Sequence, residues 1–187
     1  MSLTPDPSDP PDAAASNPEA PSPRRMSPLV ILLLVVLAPL LVMAIYVEDW
    51  SRDLTTNRSA TAASSPDERL RPIDTTATTD AVTRAVNSLC EGASDWSLGE
   101  AAELPSDSPL PDQMTEPPVA AWSLVHTTGV MRYRDDVWLV AEPVDEGRLR
   151  LHAESRSRVG KGDLGQNPRN LRELLGVLRQ AVPVVDP

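Results

Sequence analysis

Residues 155–168, SRSRVGKGDLGQNP, gather three cations, three glycines, an aspartate and the start of a helix into one short run. Gly160 to Gly165 reads G-x-G-x-x-G, the turn that lets a dinucleotide pyrophosphate approach a helix N-terminus. Arg156, Arg158 and Lys161 supply positive charge, and the N–H groups of a helix start favour anions. The dinucleotide reading fails on topology. It needs a second parallel strand after the helix, with an acidic residue about 20 positions on. The helix that opens at Pro168 instead runs nearly to residue 187. A P-loop fails too, because Lys161 is followed by Gly162 where Ser or Thr is required. Two readings remain. Arg156, Arg158, Gly160, Lys161, Asp163, Gly165 and Asn167 contact an anionic ligand, or the same residues only shape a turn. In the second case Gly160 and Gly165 take special backbone angles and Asp163 bonds to backbone or to an arginine.

Asp135 and Asp136 are adjacent carboxylates, and paired carboxylates do acid–base work when their surroundings separate their pKa values. With Asp163, and with His152 near Ser155 and Ser157, they outline a hydrolase-like alternative. Structural roles are preferred for Asp135, Asp136, Ser155 and Ser157, and no catalytic residue is assigned. His126 and His152 without a cysteine cluster argue against a structural zinc site, and no cofactor is expected. Neither G-x-S-x-G nor H-E-x-x-H occurs. Cys90 is alone, so no intrachain disulfide forms; it sits on the apolar face of a helix and reads as a core thiol.

These groups need a frame. Arg148–Ser157 alternates as a strand, with Leu149, Leu151, Ala153, Ser155 and Ser157 on the core side. Two further strands are expected over 120–130 and 137–143, and a shorter one over 96–102. A three-residue turn at 145–147 with left-handed Gly147 pairs Leu139 with Ala153, Glu142 with Arg150, and Asp136 with Arg156. A two-residue turn scrambles both faces, so the first register is chosen. It makes Arg156 the partner of Asp136 and turns Trp138 and Val140 outward beside His152. The proline-rich run 104–118, with five prolines in fifteen residues, is a long loop that can cover this face. One helix spans 80–90, capped by Thr79, with Val82, Ala85, Val86 and Leu89 on its inner face. The last helix has Asn167 as N-cap, Pro168 first, and Leu171, Leu174, Leu175 and Leu178 as its stripe. The expected fold is α+β: an antiparallel sheet of about four strands with two helices on one face.

Eight of the twenty prolines fall in residues 1–28, which have almost no large apolar side chains and read as a disordered tail. Residues 29–47 carry no charge, and a helix of that length spans roughly 28 Å, close to a bilayer core. Arg24 and Arg25 precede it, and Glu48 and Asp49 follow it. This predicts a single transmembrane helix with the N-terminus cytoplasmic and the rest extracytoplasmic, joined by a polar tether at 48–78. Net charge is −10, with five basic and fourteen acidic residues over 48–131, which argues against nucleic acid as a partner.

The run S-x-S-R-V-G at 155–160, D-L-G-x-N at 163–167 and D-D-hydrophobic from Asp135 resemble a bacterial family, domain of unknown function 1499. The likeness covers about residues 79–187; RLRPI at 69–73 is also similar. Pro168 and the long proline-rich loop depart from the family's pattern. The resemblance identifies a domain and implies no activity. The expected function is therefore a membrane-tethered binding or accessory module, for a small anionic ligand or an envelope protein, at the motif loop and the open sheet face.

Overall fold

The computed structural model describes residues 26–47, 49–100, 103–145 and 147–185. The disordered tail expected over 1–28 falls almost wholly outside them. The chain divides into two units, Met1–Pro39 and Leu40–Pro187.

Helix α1 (Pro28–Tyr46) is 19 residues long and has Pro39 inside it. Among the described residues no helix is long and apolar enough to cross a membrane. The expected transmembrane helix is corrected accordingly. Pro39 removes one intrahelical hydrogen bond, yet the helix runs unbroken from Pro28 to Tyr46.

The second unit holds a short helix α2 (Trp50–Asp53), two longer helices α3 (Thr79–Gly92) and α4 (Gln166–Ala181), and six strands. The strands are β1 (Arg58–Ala60), β2 (Ile73–Thr75), β3 (Trp96–Leu98), β4 (Ala120–Thr127), β5 (Arg134–Asp145) and β6 (Arg148–Ser157). The sheet is antiparallel with order β1-β6-β5-β4-β3, and β2 joins β1 along the same edge of β6. The expectation of about four strands and two helices is thus corrected to six strands and four helices in a mixed α+β fold. The missing strands lie in the segment expected to be a tether. Each is three residues long and is held by backbone pairing to β6, which leaves little side-chain period to read.

The β5–β6 register is the one the sequence favours: Leu139 faces Ala153, Glu142 faces Arg150 and Asp136 faces Arg156. Its closure differs. Asp145 already pairs with Arg148, and a bulge between Pro143 and Asp145 absorbs the extra residue. Gly147 has a φ of 73°, as the tight turn demands.

The core lies between the inner sheet face and the two long helices. Val137, Leu139, Leu151 and Ala153 of the sheet pack with Val82, Val86 and Leu89 of α3 and the four leucines of the α4 stripe. Each fully buried Leu or Val contributes about 1.5–3 kcal/mol relative to exposure. Cys90 is partly buried and packs against this core, and burial pushes its thiol pKa up. α3 is capped by the Thr78 side chain, one residue earlier than expected.

Candidate functional site

Polar groups concentrate on both faces of β5 and β6, and strand alternation divides them. Asp135, Ser155 and Ser157 point inward, toward α4. Asp136, Glu142, His152, Glu154 and Arg156 point outward. The sheet therefore separates His152 from Asp135, Asp163, Ser155 and Ser157, with which the hydrolase-like alternative grouped it.

On the inner side α4 begins at Gln166, so Asn167 lies inside its first turn and not at the cap. Its side chain is fully buried and turned to the sheet. Ser155 Oγ donates to Asn167 Oδ1 at 2.7 Å, and Asn167 Nδ2 donates to the Asn57 carbonyl at 2.7 Å and to Ser157 Oγ at 3.1 Å. One turn on, Asn170 Nδ2 donates to Asp135 Oδ2 at 2.9 Å and to Ser155 Oγ at 3.2 Å. Burial works to raise the Asp135 pKa, but neighbouring His126, Ser157 and Asn170 outweigh it and hold the group below the usual carboxylate range. His126 is buried, 3.9 Å from Asp135 and 3.6 Å from Asp95, with its ring edge-on to Trp96.

The capping duty falls to Asp163. Its carboxylate accepts from Gly165 N at 2.9 Å and from Asn167 N at 2.8 Å. Burial, with the nearby Asp53 charge, raises the Asp163 pKa despite those bonds. The chain has thus placed its own carboxylate on the donors that a bound anion would use. Arg158 is likewise engaged, making two hydrogen bonds of 2.9 and 2.6 Å to Asp136. The ion-pair partner of Asp136 is therefore Arg158, although Arg156 is its cross-strand neighbour as expected. Lys161 is exposed. The glycines have structural reasons. Gly165 has a φ of 75°, and a Cβ at Gly162 would collide with the Asp53 and Leu54 backbone at the end of α2.

On the outer side, Glu142 is buried and accepts four hydrogen bonds. Thr115 N, Thr115 Oγ1 and Glu116 N donate to Oε1 at 2.6, 2.7 and 3.1 Å, and His152 Nε2 lies 2.9 Å from Oε2. Burial alone would raise the Glu142 pKa; these donors reverse it and bring it down to about 2. A charged Glu142 fixes the proton of neutral His152 on Nε2. Nδ1 is then an acceptor, buried and without a hydrogen-bond partner among the described residues. Burial, more than the opposing pull of Glu142, lowers the His152 pKa, so the neutral ring is favoured. Beside the ring opens a groove of about 330 Å³, lined by His152, Arg150, Gln113 and Ser64 with Ala62 and Pro72. Arg150 in this wall is paired with Asp74 at 2.6 and 2.8 Å.

The proline-rich loop covers the rest of this face. Its Leu110 is fully buried, its Ser108 hydroxyl donates to buried Glu154, and its Asp107 accepts from Arg156 at 2.9 Å. Sequence reasoning missed Glu142, Glu154, Thr115 and Ser108. Glu142 was placed opposite Arg150, as the register has it, but nothing in the period shows that Thr115 and Glu116 of the covering loop donate to it.

The inner network is built from the residues of the D-D, S-x-S-R-V-G and D-L-G-x-N runs, and those runs also mark a protein family. The family model described as "Protein of unknown function (DUF1499)" matches residues 2–178. The chain belongs to this family. In this DUF1499 protein the match takes in β1 and β2, which complete the sheet edge, as well as the motif loop. No curated protein and no solved structure matches the chain. Among the described residues no group of His, Cys, Asp and Glu is arranged to hold a metal ion.

Proposed function

We propose that this DUF1499 domain is a binding or accessory module, and that its ligand occupies the outer-face groove beside His152. The observation that carries the reading is the buried Nδ1 of His152, which has no hydrogen-bond partner among the described residues and is held in one tautomer by Glu142 at 2.9 Å. A buried acceptor without a partner costs about 1–3 kcal/mol, which a ligand N–H or O–H would recover. The preferred ligand is therefore a small polar molecule with a donor to offer His152. An anionic ligand, or an acidic side chain of an envelope partner, would compete with Asp74 for Arg150. The motif loop is the less favourable anion site, since Asp163 and Asp136 occupy its donors.

A thermal-shift screen of the full chain against a ligand library tests this. The expected hit stabilises the protein and loses its effect in His152→Gln, while Arg158→Ala and Lys161→Ala retain it. Loss in the Arg158 and Lys161 variants, with the His152 variant unaffected, overturns the reading.

A second reading rests on the Glu142–His152 pair itself. A buried carboxylate that orients an imidazole is one half of an acid–base constellation. This hydrolase-like alternative places the chemistry at His152 Nδ1 and does not use Asp135 or Asp163. Turnover of an ester or phosphoester panel, abolished by His152→Gln, would favour it over simple binding.

A further inference from the structure

Among the described residues after α1, ten large apolar side chains remain exposed, and seven belong to loops at one end of the sheet. The β4–β5 connection contributes Val130, Met131 and Tyr133, with Val130 94% exposed. The motif loop contributes Val159 and Leu164, and the α2 region contributes Trp50 and Leu54. Backbone hydrogen bonds tie these loops together. Arg158 N donates to the Arg134 carbonyl at 3.2 Å, and Leu164 N donates to the Asp53 carbonyl at 3.0 Å. A cluster of apolar tips on one end marks an interaction surface, unlike single exposed residues scattered over a protein.

Charge narrows the choice of partner. The chain carries −10 overall, yet three exposed cations at this end have no ion pair among the described residues. Arg132, Arg134 and Lys161 are exposed and make no ion pair among the described residues. Of the carboxylates nearby, Asp136 is engaged by Arg158, Asp163 by the first turn of α4, Asp53 by Arg52 at 2.7 Å and Asp49 by the first turn of α2, while Asp95 lies 3.6 Å from His126 and stays 46% exposed. Aliphatic tips, an indole and a phenol beside unpaired cations match the interface of a lipid layer. There aromatic rings sit at headgroup level and each cation near an anionic surface adds attraction.

We propose that this end of the domain docks on the surface of an anionic lipid bilayer, with Val130 and Met131 entering the headgroup boundary. The contact is peripheral and uses loops, so it needs no spanning helix. It is also independent of the groove, which lies on the outer sheet face.

The test uses the full chain with Cys90→Ser and one new cysteine carrying an environment-sensitive fluorophore. In Met131→Cys the label reports the proposed contact. In Val184→Cys it reports the opposite end of the sheet, where Val184 bridges to Thr75. Phosphatidylcholine vesicles containing phosphatidylglycerol should shift the 131 label to the blue and leave the 184 label unchanged. Vesicles of phosphatidylcholine alone should shift it far less, and added salt should weaken the response. Removing the three cations in Arg132→Gln, Arg134→Gln, Lys161→Gln should reduce partitioning about a hundredfold. If that variant fails to fold, the salt titration of the parent decides. Three results overturn the proposal: an equal response at both labels, no response at 131, or a concentration-dependent shift at 131 without vesicles. The last would assign this end to a second copy of the chain.

Discussion

The two faces of the β5–β6 hairpin carry similar numbers of polar groups and use them in opposite ways. On the inner face Asp135, Asn170, Ser155, Asn167 and Ser157 bond to one another, with Gln166 and the Asn57 carbonyl closing the ends, and only His126 Nδ1 beside Asp135 lacks a hydrogen-bond partner among the described residues. On the outer face Glu142 is over-supplied with donors while the His152 Nδ1 beside it has none among the described residues. The first arrangement fixes α4 to the sheet. The second leaves a polar valence open next to a groove. A residue pattern that marks a family can therefore be the scaffold, with the chemistry that remains available on the opposite side of the same strands.

The largest expected effect comes from breaking the inner network. Asn167→Ala removes partners from Ser155, Ser157 and the Asn57 carbonyl together, and should cost about 3 kcal/mol in chemical denaturation. If it leaves stability intact and abolishes ligand binding, the motif is the site and the contrast between faces collapses. Next comes Glu142→Gln, expected to cost about 2 kcal/mol and to change the acid limb of stability. The Glu142 pKa is depressed from 4.5 to about 2, so its contribution is present above 4.5 and lost as pH falls toward 2. The His152 pKa is also lowered, from 6.5, so its contribution too is lost on acidification, beginning below 6.5. Denaturant midpoints measured across that range should lose the lower step, between 4.5 and 2, in Glu142→Gln. An unchanged profile would detach Glu142 from the outer-face account. Gly165→Ala should cost about 1–2 kcal/mol through its positive φ alone, and a Cβ there would also approach Asp53 Oδ2. Smallest is Arg158→Ala. Its ion pair with Asp136 is 43% and 26% exposed, and solvent screening limits the expected loss to about 1 kcal/mol or less. A larger loss, seen as a midpoint shift comparable to Gly165→Ala, would show that the motif loop bears more of the fold than its geometry indicates.

Much of the frame was readable from residue order. The alternation of Arg148–Ser157 defines β6 to the residue, and the leucine spacing of α4 places its buried face, because both elements have one apolar side and one wet side. β1 and β2 were not readable. Their three residues each are too few to show a period, and they pair with a strand about 75 to 100 positions away, so neither period nor composition betrays them. The cap of α4 was misplaced for a related reason. Asn167 has the right chemistry for an N-cap, and its inward rotation depends on the serines that the sheet brings beneath it. That the proline-rich run can cover the outer face was legible, but which carboxylates it meets there was not. Glu142 and Glu154 look like surface carboxylates until Thr115 and Ser108 are laid across them.

The bulge between Pro143 and Asp145 separates two properties that a plain hairpin links, the length of the connection and the phase of the strands. In a strict two-residue turn, losing or gaining one position would rotate β6 by half a period and exchange its oily and wet sides. Here the spare residue acts as a phase shifter. Evolutionary change by a single codon at the tip can be absorbed by forming or erasing the kink, while insertion farther along β6 cannot. Variation in length among DUF1499 sequences is therefore expected to gather at this corner and to avoid the ten residues that follow it.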